Sequence, residues 1–383
     1  MTAAIQQNSP SNSPASLLVR WLLVFGLLYG FLVAIQLMGG SIKALGKDSA
    51  ETLFDGVSNP FAGLSVGILA TVLLQSSSTT TSMIVSMVGA AKDVALPLAS
   101  AIPMILGANI GTTITNTIVS VGHIRQGPEF RRAFAAATVH DFFNLLCVAV
   151  MLPLELTTGF LQKSAVAMTG WFVTDSSAGT FKSPVKAAVK QAFKLIQDGL
   201  EGVGLEGIPL SAVMLTLGVV LTFACLILIT KNMKVLISGR MEQALNSALG
   251  KSGVAGIIVG AAFTFAVQSS SITTSLLVPM CAAGVLSLRN AFPIMLGANI
   301  GTTLTGVLAS QASETSAGLT IALVHVTFNI LGVIVFFSVP AFRNIPIALA
   351  ELLASKAQKS PVWVIAYVGT VFIGLPLAGY LLF

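Results

Sequence analysis

At 383 residues, with 55% of them apolar, only 9% charged and a mean hydropathy of +0.90, the chain has too little polar surface for a water-soluble globule, whose charged share is about 25%. That composition implies an integral membrane protein. The net charge of +6 does not point to nucleic acid, because Lys and Arg are scattered over predicted loops rather than gathered with aromatics; orientation by positive loops accounts for them.

Residues 1–16 are rich in Ser, Asn and Pro and are expected to form a disordered N-terminus. The apolar run that follows has no small-residue cleavage site and is read as a retained span, not a signal peptide. Leu17 to Gly39 is a first span of about the 20 residues that a bilayer needs. Ser41 to Phe54 is amphipathic and expected on the surface. Asn59 to Ala91 runs apolar, polar, apolar, with arms too short to cross, and so predicts a re-entrant hairpin (about 59–91) with Gln75-Ser76-Ser77-Ser78 at its tip. Irregular backbone at membrane depth is tolerated only where protein buries it or water lines it. Leu96 to Val121 (about 96–121) could cross, but Gly107-Ala-Asn-Ile-Gly111 interrupts it and predicts a broken helix whose second half begins at Thr112. Ala133 to Pro153 crosses again and carries His140, Asp141 and Asn144. Residues 17–154 thus form a first repeat and 155–206 a charged linker.

The second half, 207–340, follows the same plan. Ala212 to Thr230 is a span, Met233 to Leu249 a surface segment, Gly253 to Ala283 a hairpin (about 253–283), Leu288 to Ala309 a broken helix (about 288–309) and Leu319 to Val339 a span. Residues 341–383 add a surface segment and one extra span, Val362 to Phe383. The duplication is explicit in the residues. Gln75-Ser76-Ser77-Ser78-Thr79-Thr80-Thr81-Ser82 returns as Gln268-Ser269-Ser270-Ser271-Ile272-Thr273-Thr274-Ser275, and Gly107-Ala-Asn-Ile-Gly-Thr-Thr113 returns unchanged as Gly297 to Thr303. His140-x-x-x-Asn144 pairs with His325-x-x-x-Asn329. Three landmarks in one order mark an internal repeat. Each unit has an odd number of crossings, so the copies should be inverted, the arrangement that places a transporter's site at the repeat interface. The fold class expected is an all-α polytopic membrane protein of two inverted-topology repeats, each with a re-entrant helical hairpin and a broken transmembrane helix. The crossing count also gathers the basic loops 122–132, 231–252 and 340–360 on one side, expected to be cytoplasmic together with the N-terminus.

Burying eight consecutive polar residues without partners would cost kcal/mol apiece, so the two runs must meet each other, water or a solute. Hydroxyls and the N–H groups of a helix N-terminus are donors beside a partial positive charge, which suits an oxyanion. The candidate substrate contacts are Gln75, Ser76, Ser77, Ser78 and Thr79 with Gln268, Ser269, Ser270 and Ser271. Amide carbonyls, Thr hydroxyls and the carbonyls freed at a broken helix suit a small hard cation. That points to Asn109, Thr112 and Thr113, to Asn299, Thr302 and Thr303, and to Thr273. An anion in a cavity without Arg or Lys needs cations to enter with it. Hydroxyls also accept the proton of a hydrogen phosphate, which favours phosphate over sulfate weakly. Asp141 is an intramembrane carboxylate and a functional candidate by default, with Asn144 one turn away; the alternative is an Asp paired with His140 to hold two helices together. Val326 stands at the matching place in the second copy. The histidines are read as structural donors.

Enzyme signatures are poor. Gly250-Lys251-Ser252 resembles the end of a phosphate-binding loop, but Leu245 stands where the first glycine belongs. The three cysteines, Cys147, Cys225 and Cys281, lie in apolar stretches without metal-ligand spacing and are read as small core residues. An intramembrane hydrolase using Ser77, His140 and Asp141 would need its nucleophile once, not twice.

The paired Gln-Ser-Ser-Ser runs, the paired Gly-Ala-Asn-Ile-Gly-Thr-Thr and the stretch from Phe130-Arg-Arg to His140-Asp-Phe-Phe-Asn144 resemble the type II sodium-dependent phosphate cotransporters. The resemblance covers about 59–153 and 253–333. It implies that Gln75 to Ser78 and Gln268 to Ser271 contact phosphate, that Asp141, Asn144, Asn299 and Thr302 serve sodium, and that transport moves charge. Animal members carry a Gln and an Asp in the loop before Phe-Arg-Arg where this chain has His123 and Gln126, and they have a larger central loop. The function expected is sodium-coupled symport of inorganic phosphate into a bacterial cell across the inner membrane by alternating access. Another small oxyanion, a dicarboxylate or sulfate, is the alternative. No cofactor is expected; sodium enters as the coupling ion, lipid and not nucleic acid is the surrounding partner, and a homodimer is left open.

Overall fold

The structure, a computed structural model, describes residues 14–172, 184–249 and 253–383. The expected disordered stretch lies outside it except for residues 14–16, which open the first helix. Every described regular element is helical, and seven helices are long and apolar enough to cross a membrane. The chain is an integral, multi-pass, all-α membrane protein.

α1 (Pro14–Leu45) stops at Gly46, whose φ of 86° no other residue adopts cheaply, and α2 (Lys47–Asp55) follows. Ser41 to Leu45, expected on the surface, therefore extend the first span. α3 (Pro60–Leu74) and α4 (Ser77–Val88) make the first hairpin; Asn59 caps α3 by accepting from the Phe61 N–H, with Pro60 at the first helical position. α5 (Leu98–Gly111) and α6 (Ile114–Val121) share one axis run but are parted at Thr112-Thr113, and α7 (Pro128–Thr158) is a long crossing. Within the expected linker lie α8 (Phe160–Phe172) and α9 (Pro184–Gly202). α10 (Gly207–Leu249) is one helix, although a span and a separate surface segment were expected; no proline occurs after Pro209 to end it. α11 (Gly253–Val267) and α12 (Ser270–Ala282) form the second hairpin, followed by α13 (Leu288–Ser310), α14 (Ala317–Ser338) and α15 (Pro340–Lys359). α16 (Val362–Val368), a π-helical turn (Gly369–Gly374) and α17 (Leu375–Leu382) make up the final span.

The expected break at the glycine motif occurs in one copy only. In the first copy the helix opens beyond the glycines, and in the second α13 runs through Gly297 to Thr303 without a break. The glycines themselves serve packing. A Cβ at Gly67 would collide with the Met104 carbonyl and one at Gly107 with the Leu64 carbonyl, so α3 and α5 cross backbone to backbone. Gly260 against Ile294 and Gly297 against Ile257 repeat that crossing between α11 and α13. Small residues at such crossings allow the close approach that drives helix association in lipid. The opening at Thr112-Thr113 coincides with a sequence difference: α6 carries Asn116 and Thr117, each bonded to a neighbouring element, where α13 has Gly306 and Val307.

The two halves exchange equivalent parts. Each hairpin's first arm packs on its own half, α3 on α5 and α11 on α13, whereas the second arm packs on its own half and also reaches across, α4 onto α13 and α14, α12 onto α6 and α7. Likewise α8, which follows α7, packs on α14, and α15, which follows α14, packs on α7. Ile347, Ala350, Ala354 and Ala357 give α15 the apolar stripe that lies there, so residues expected as a basic loop form a docked amphipathic helix. The innermost spans are the two with the glycine motif, each 78% buried, against 17% for the final span.

Candidate functional site between the hairpin tips

Each hairpin turns at glutamine. Gln75 and Gln268 are the only non-glycine residues with positive φ among those described, 51° and 57°. Left-handed backbone costs a non-glycine residue about 1–2 kcal/mol, and the side chains supply the compensation. Gln75 Nε2 donates to the Val72 carbonyl and Gln268 Nε2 to that of Phe265, both at 2.6 Å, closing the last turn of the first arm. The next residue caps the second arm: Ser76 Oγ accepts from the Thr79 N–H at 3.2 Å and Ser269 Oγ from the Ile272 N–H at 3.4 Å. Beyond the caps, the hydroxyls of Ser77, Ser78, Ser270 and Ser271 bond to no other protein group, yet unlike those of Thr71 and Thr81 they are not sealed away. Four unengaged hydroxyls thus stand at the N-termini of α4 and α12, beside first-turn N–H groups that a helix leaves unpaired.

Adjacent residues of α6 tie the two tips to one place. Thr115 Oγ1 donates to Gln75 Oε1 at 3.2 Å, and Thr274 Oγ1, from the second hairpin, donates to Asn116 Oδ1 at 2.8 Å. Neighbouring Cα atoms are about 3.8 Å apart, so both hairpins are gathered at one turn of α6. The other half repeats the first tie, Thr305 Oγ1 donating to Gln268 Oε1 at 2.9 Å, but not the second. Gly306 stands in place of Asn116, and the Thr81 hydroxyl beside it is left buried without a partner.

Behind the tips lies a buried amide and imidazole network drawn from both halves. His140 Nε2 pairs with Asn299 Oδ1 at 2.6 Å and His325 Nε2 with Asn109 Oδ1 at 3.3 Å. Asn299 Nδ2 donates to Asn144 Oδ1 at 2.7 Å, and Asn109 Nδ2 donates to both Asn144 Oδ1 (3.3 Å) and Asn329 Oδ1 (3.1 Å). Asn144 Nδ2 returns to the Asn109 carbonyl at 2.8 Å. His140 does not pair with Asp141; it reaches across to the other half.

Asp141 instead accepts at Oδ2 from the Tyr367 hydroxyl (2.9 Å) and from Thr117 Oγ1 (3.4 Å), while its Oδ1 is buried without a partner. The Thr113 hydroxyl is nearby but bonds to the Ile110 carbonyl at 3.1 Å. Thr112, Thr302 and Thr303 likewise bond back to their own helices, at 3.0, 3.0 and 2.7 Å. Thr273 meets Thr264 at 2.6 Å and Thr79 meets Ser76 at 2.9 Å.

Apart from these locally bonded threonines, the structure divides the sequence candidates into three sets. Ser77, Ser78, Ser270 and Ser271 offer free hydroxyls. Gln75, Gln268, Ser76 and Ser269 build the turns. Asn109, Asn144 and Asn299 join the central network, whereas Asp141 lies apart from it. The participants not singled out from sequence include Thr115, Asn116, Thr117, Thr305 and Tyr367. The first three carried a signal, since they follow Gly107 at the offsets of Thr305, Gly306 and Val307 after Gly297. Tyr367 lies outside the repeats and carried none.

The profile of the family described as Na+/Pi-cotransporter matches residues 31–170 and 221–378, which include both hairpins and the whole network. Similar curated proteins include the sodium-dependent phosphate transport protein 2A of Rattus norvegicus, 34% identical over 92% of this chain and 66% of that one. The corresponding protein 2B of Homo sapiens is 31% identical over 94% of this chain and 64% of that one. The chain thus spans slightly less than two thirds of these relatives' length. No solved structure gives a significant match. With the duplicated tips, the shared network and the profile covering most of its length, the chain belongs to the Na+/Pi-cotransporter family.

Proposed function

We propose that the protein is a secondary transporter that carries inorganic phosphate into the cell together with sodium, by alternating access between two oppositely oriented repeats. The observation that carries this reading is the set of free hydroxyls at Ser77, Ser78, Ser270 and Ser271, two at the N-terminus of each second hairpin arm. Donors and helix N-termini favour an anion there, hydroxyl oxygens accept the proton of hydrogen phosphate, and the names of the relatives supply phosphate as the anion. Sodium is assigned to the oxygen donors beside it, with Asp141 Oδ1, a buried carboxylate oxygen without a partner, as the strongest ligand. A carboxylate in one half and Val326 in the other makes the cation sites unequal, which supports net charge movement. The placement we adopt is a bacterial inner membrane with the N-terminus in the cytoplasm.

Purified protein in proteoliposomes should take up labelled phosphate when an inward sodium gradient is imposed and not when potassium replaces sodium. Excess unlabelled phosphate should abolish that uptake while a dicarboxylate leaves it intact. Uptake that ignores sodium, or that the dicarboxylate suppresses instead, would overturn the assignment.

A further inference from the structure

The residue that holds Asp141 most closely comes from the final span, which lies outside the duplicated units. Tyr367 donates to Oδ2 at 2.9 Å, Thr117 adds a longer bond at 3.4 Å, and Oδ1 is buried without a partner. A carboxylate fixed at one oxygen has a single direction in which to offer the other. The Tyr367 ring is itself clamped, with Phe142 at 5.8 Å, Phe372 at 6.1 Å and Phe134 at 6.4 Å between ring centroids. Phe372 lies five residues further on, which in a regular α-helix would place it about 140° around the axis. The π-helical turn at Gly369–Gly374 reduces that offset, and Phe372 meets the Tyr367 ring edge-on. Single π-turns inside helices occur frequently at functional sites. Past the turn, α17 packs on α3 of the first hairpin, with Phe383 against Phe61 at 5.3 Å.

We infer that Tyr367 is a positioning residue for the coupling cation: its hydroxyl orients the Asp141 carboxyl so that Oδ1 faces sodium, which makes the final span part of the cation site. This rests on the transport reading above. Tyr367→Phe removes the hydroxyl and keeps the ring in its clamp, so the fold survives the change. Losing a partner that orients a metal ligand typically costs 10- to 100-fold in affinity, so the sodium concentration for half-maximal phosphate uptake should rise about ten-fold, with the maximal rate at saturating sodium largely kept. Tyr380→Phe, on the same span and away from Asp141, should change neither.

A second measurement reads sodium binding without transport: the thermal shift that sodium gives over choline in detergent. Its midpoint should move to higher sodium in Tyr367→Phe by the same factor. If wild type shows the sodium shift and Tyr367→Phe shows it at the same concentrations, the positioning role is overturned while the transport reading stands. If wild type shows neither the shift nor sodium-driven uptake, the transport reading fails and this inference falls with it.

Discussion

The residue with the sharpest chemical identity is Asp141, because it is buried, bonded at one oxygen and without a partner at the other. Asp141→Asn keeps the shape and an acceptor for Tyr367 but removes the charge. Interactions with a charged group are worth about 1.5–3 kcal/mol, so sodium half-saturation in the uptake assay should rise at least ten-fold, and current per phosphate should fall in voltage-clamped membranes. The asparagines behave differently. Asn299 serves both His140 and Asn144, and Asn299→Ala would strand the buried His140 Nε2 at about 1–3 kcal/mol and leave Asn144 Oδ1 only its longer bond from Asn109. The expected result is a clear fall in the melting temperature, whether or not sodium is present; a variant as stable as wild type would show that the network is dispensable. Much of this was legible from sequence, since Asp141 is a lone carboxylate in an apolar run. What its neighbours do was not, because Tyr367 approaches it from 226 residues away.

At the scale of elements, the glycines of the repeated motif are contact points in both copies, and the helix break that the sequence predicts for each occurs only in the first, just past Gly111. Period and composition do not distinguish a glycine that opens a helix from one that lets another backbone approach. The distinction lies in what stands opposite. Gly67 and Gly260 occupy matching places in the two hairpins, and a Cβ at either meets a carbonyl of the crossing helix. Gly67→Ala and Gly260→Ala should each cost about 1–3 kcal/mol by overpacking and lower the yield of monodisperse protein. Gly170→Ala, where a Cβ meets nothing, should be neutral. Equal stability of all three variants in a thermal unfolding assay would refute the crossing geometry. The hairpins themselves were readable from arm length and the polar tip, but their closure by left-handed glutamines was not, because the expected residue at such a position is glycine.

For the whole molecule, the exchange of second arms between halves makes each hairpin depend on both repeats. The bond from Thr274 to Asn116 at 2.8 Å is the tie between the second hairpin and α6. If transport needs those parts to separate, cysteines at both positions, in a background with Cys147, Cys225 and Cys281 replaced, should form an oxidised cross-link that stops phosphate uptake, and reductant should restore it. Full activity in the cross-linked protein would show that this contact persists through the cycle.

The sequence by itself determined that the chain lives in a membrane, that it is built from two copies of one unit, and where the polar tips lie, because hydropathy and repetition are local properties of the residues. Only the tertiary structure decided which polar groups are spent on one another and which are left over. His140 with Asn299, Tyr367 with Asp141 and Thr274 with Asn116 join residues more than 150 positions apart. A hydrogen bond depends on distance and direction in space, and the order of residues along a chain encodes neither until the helices have packed.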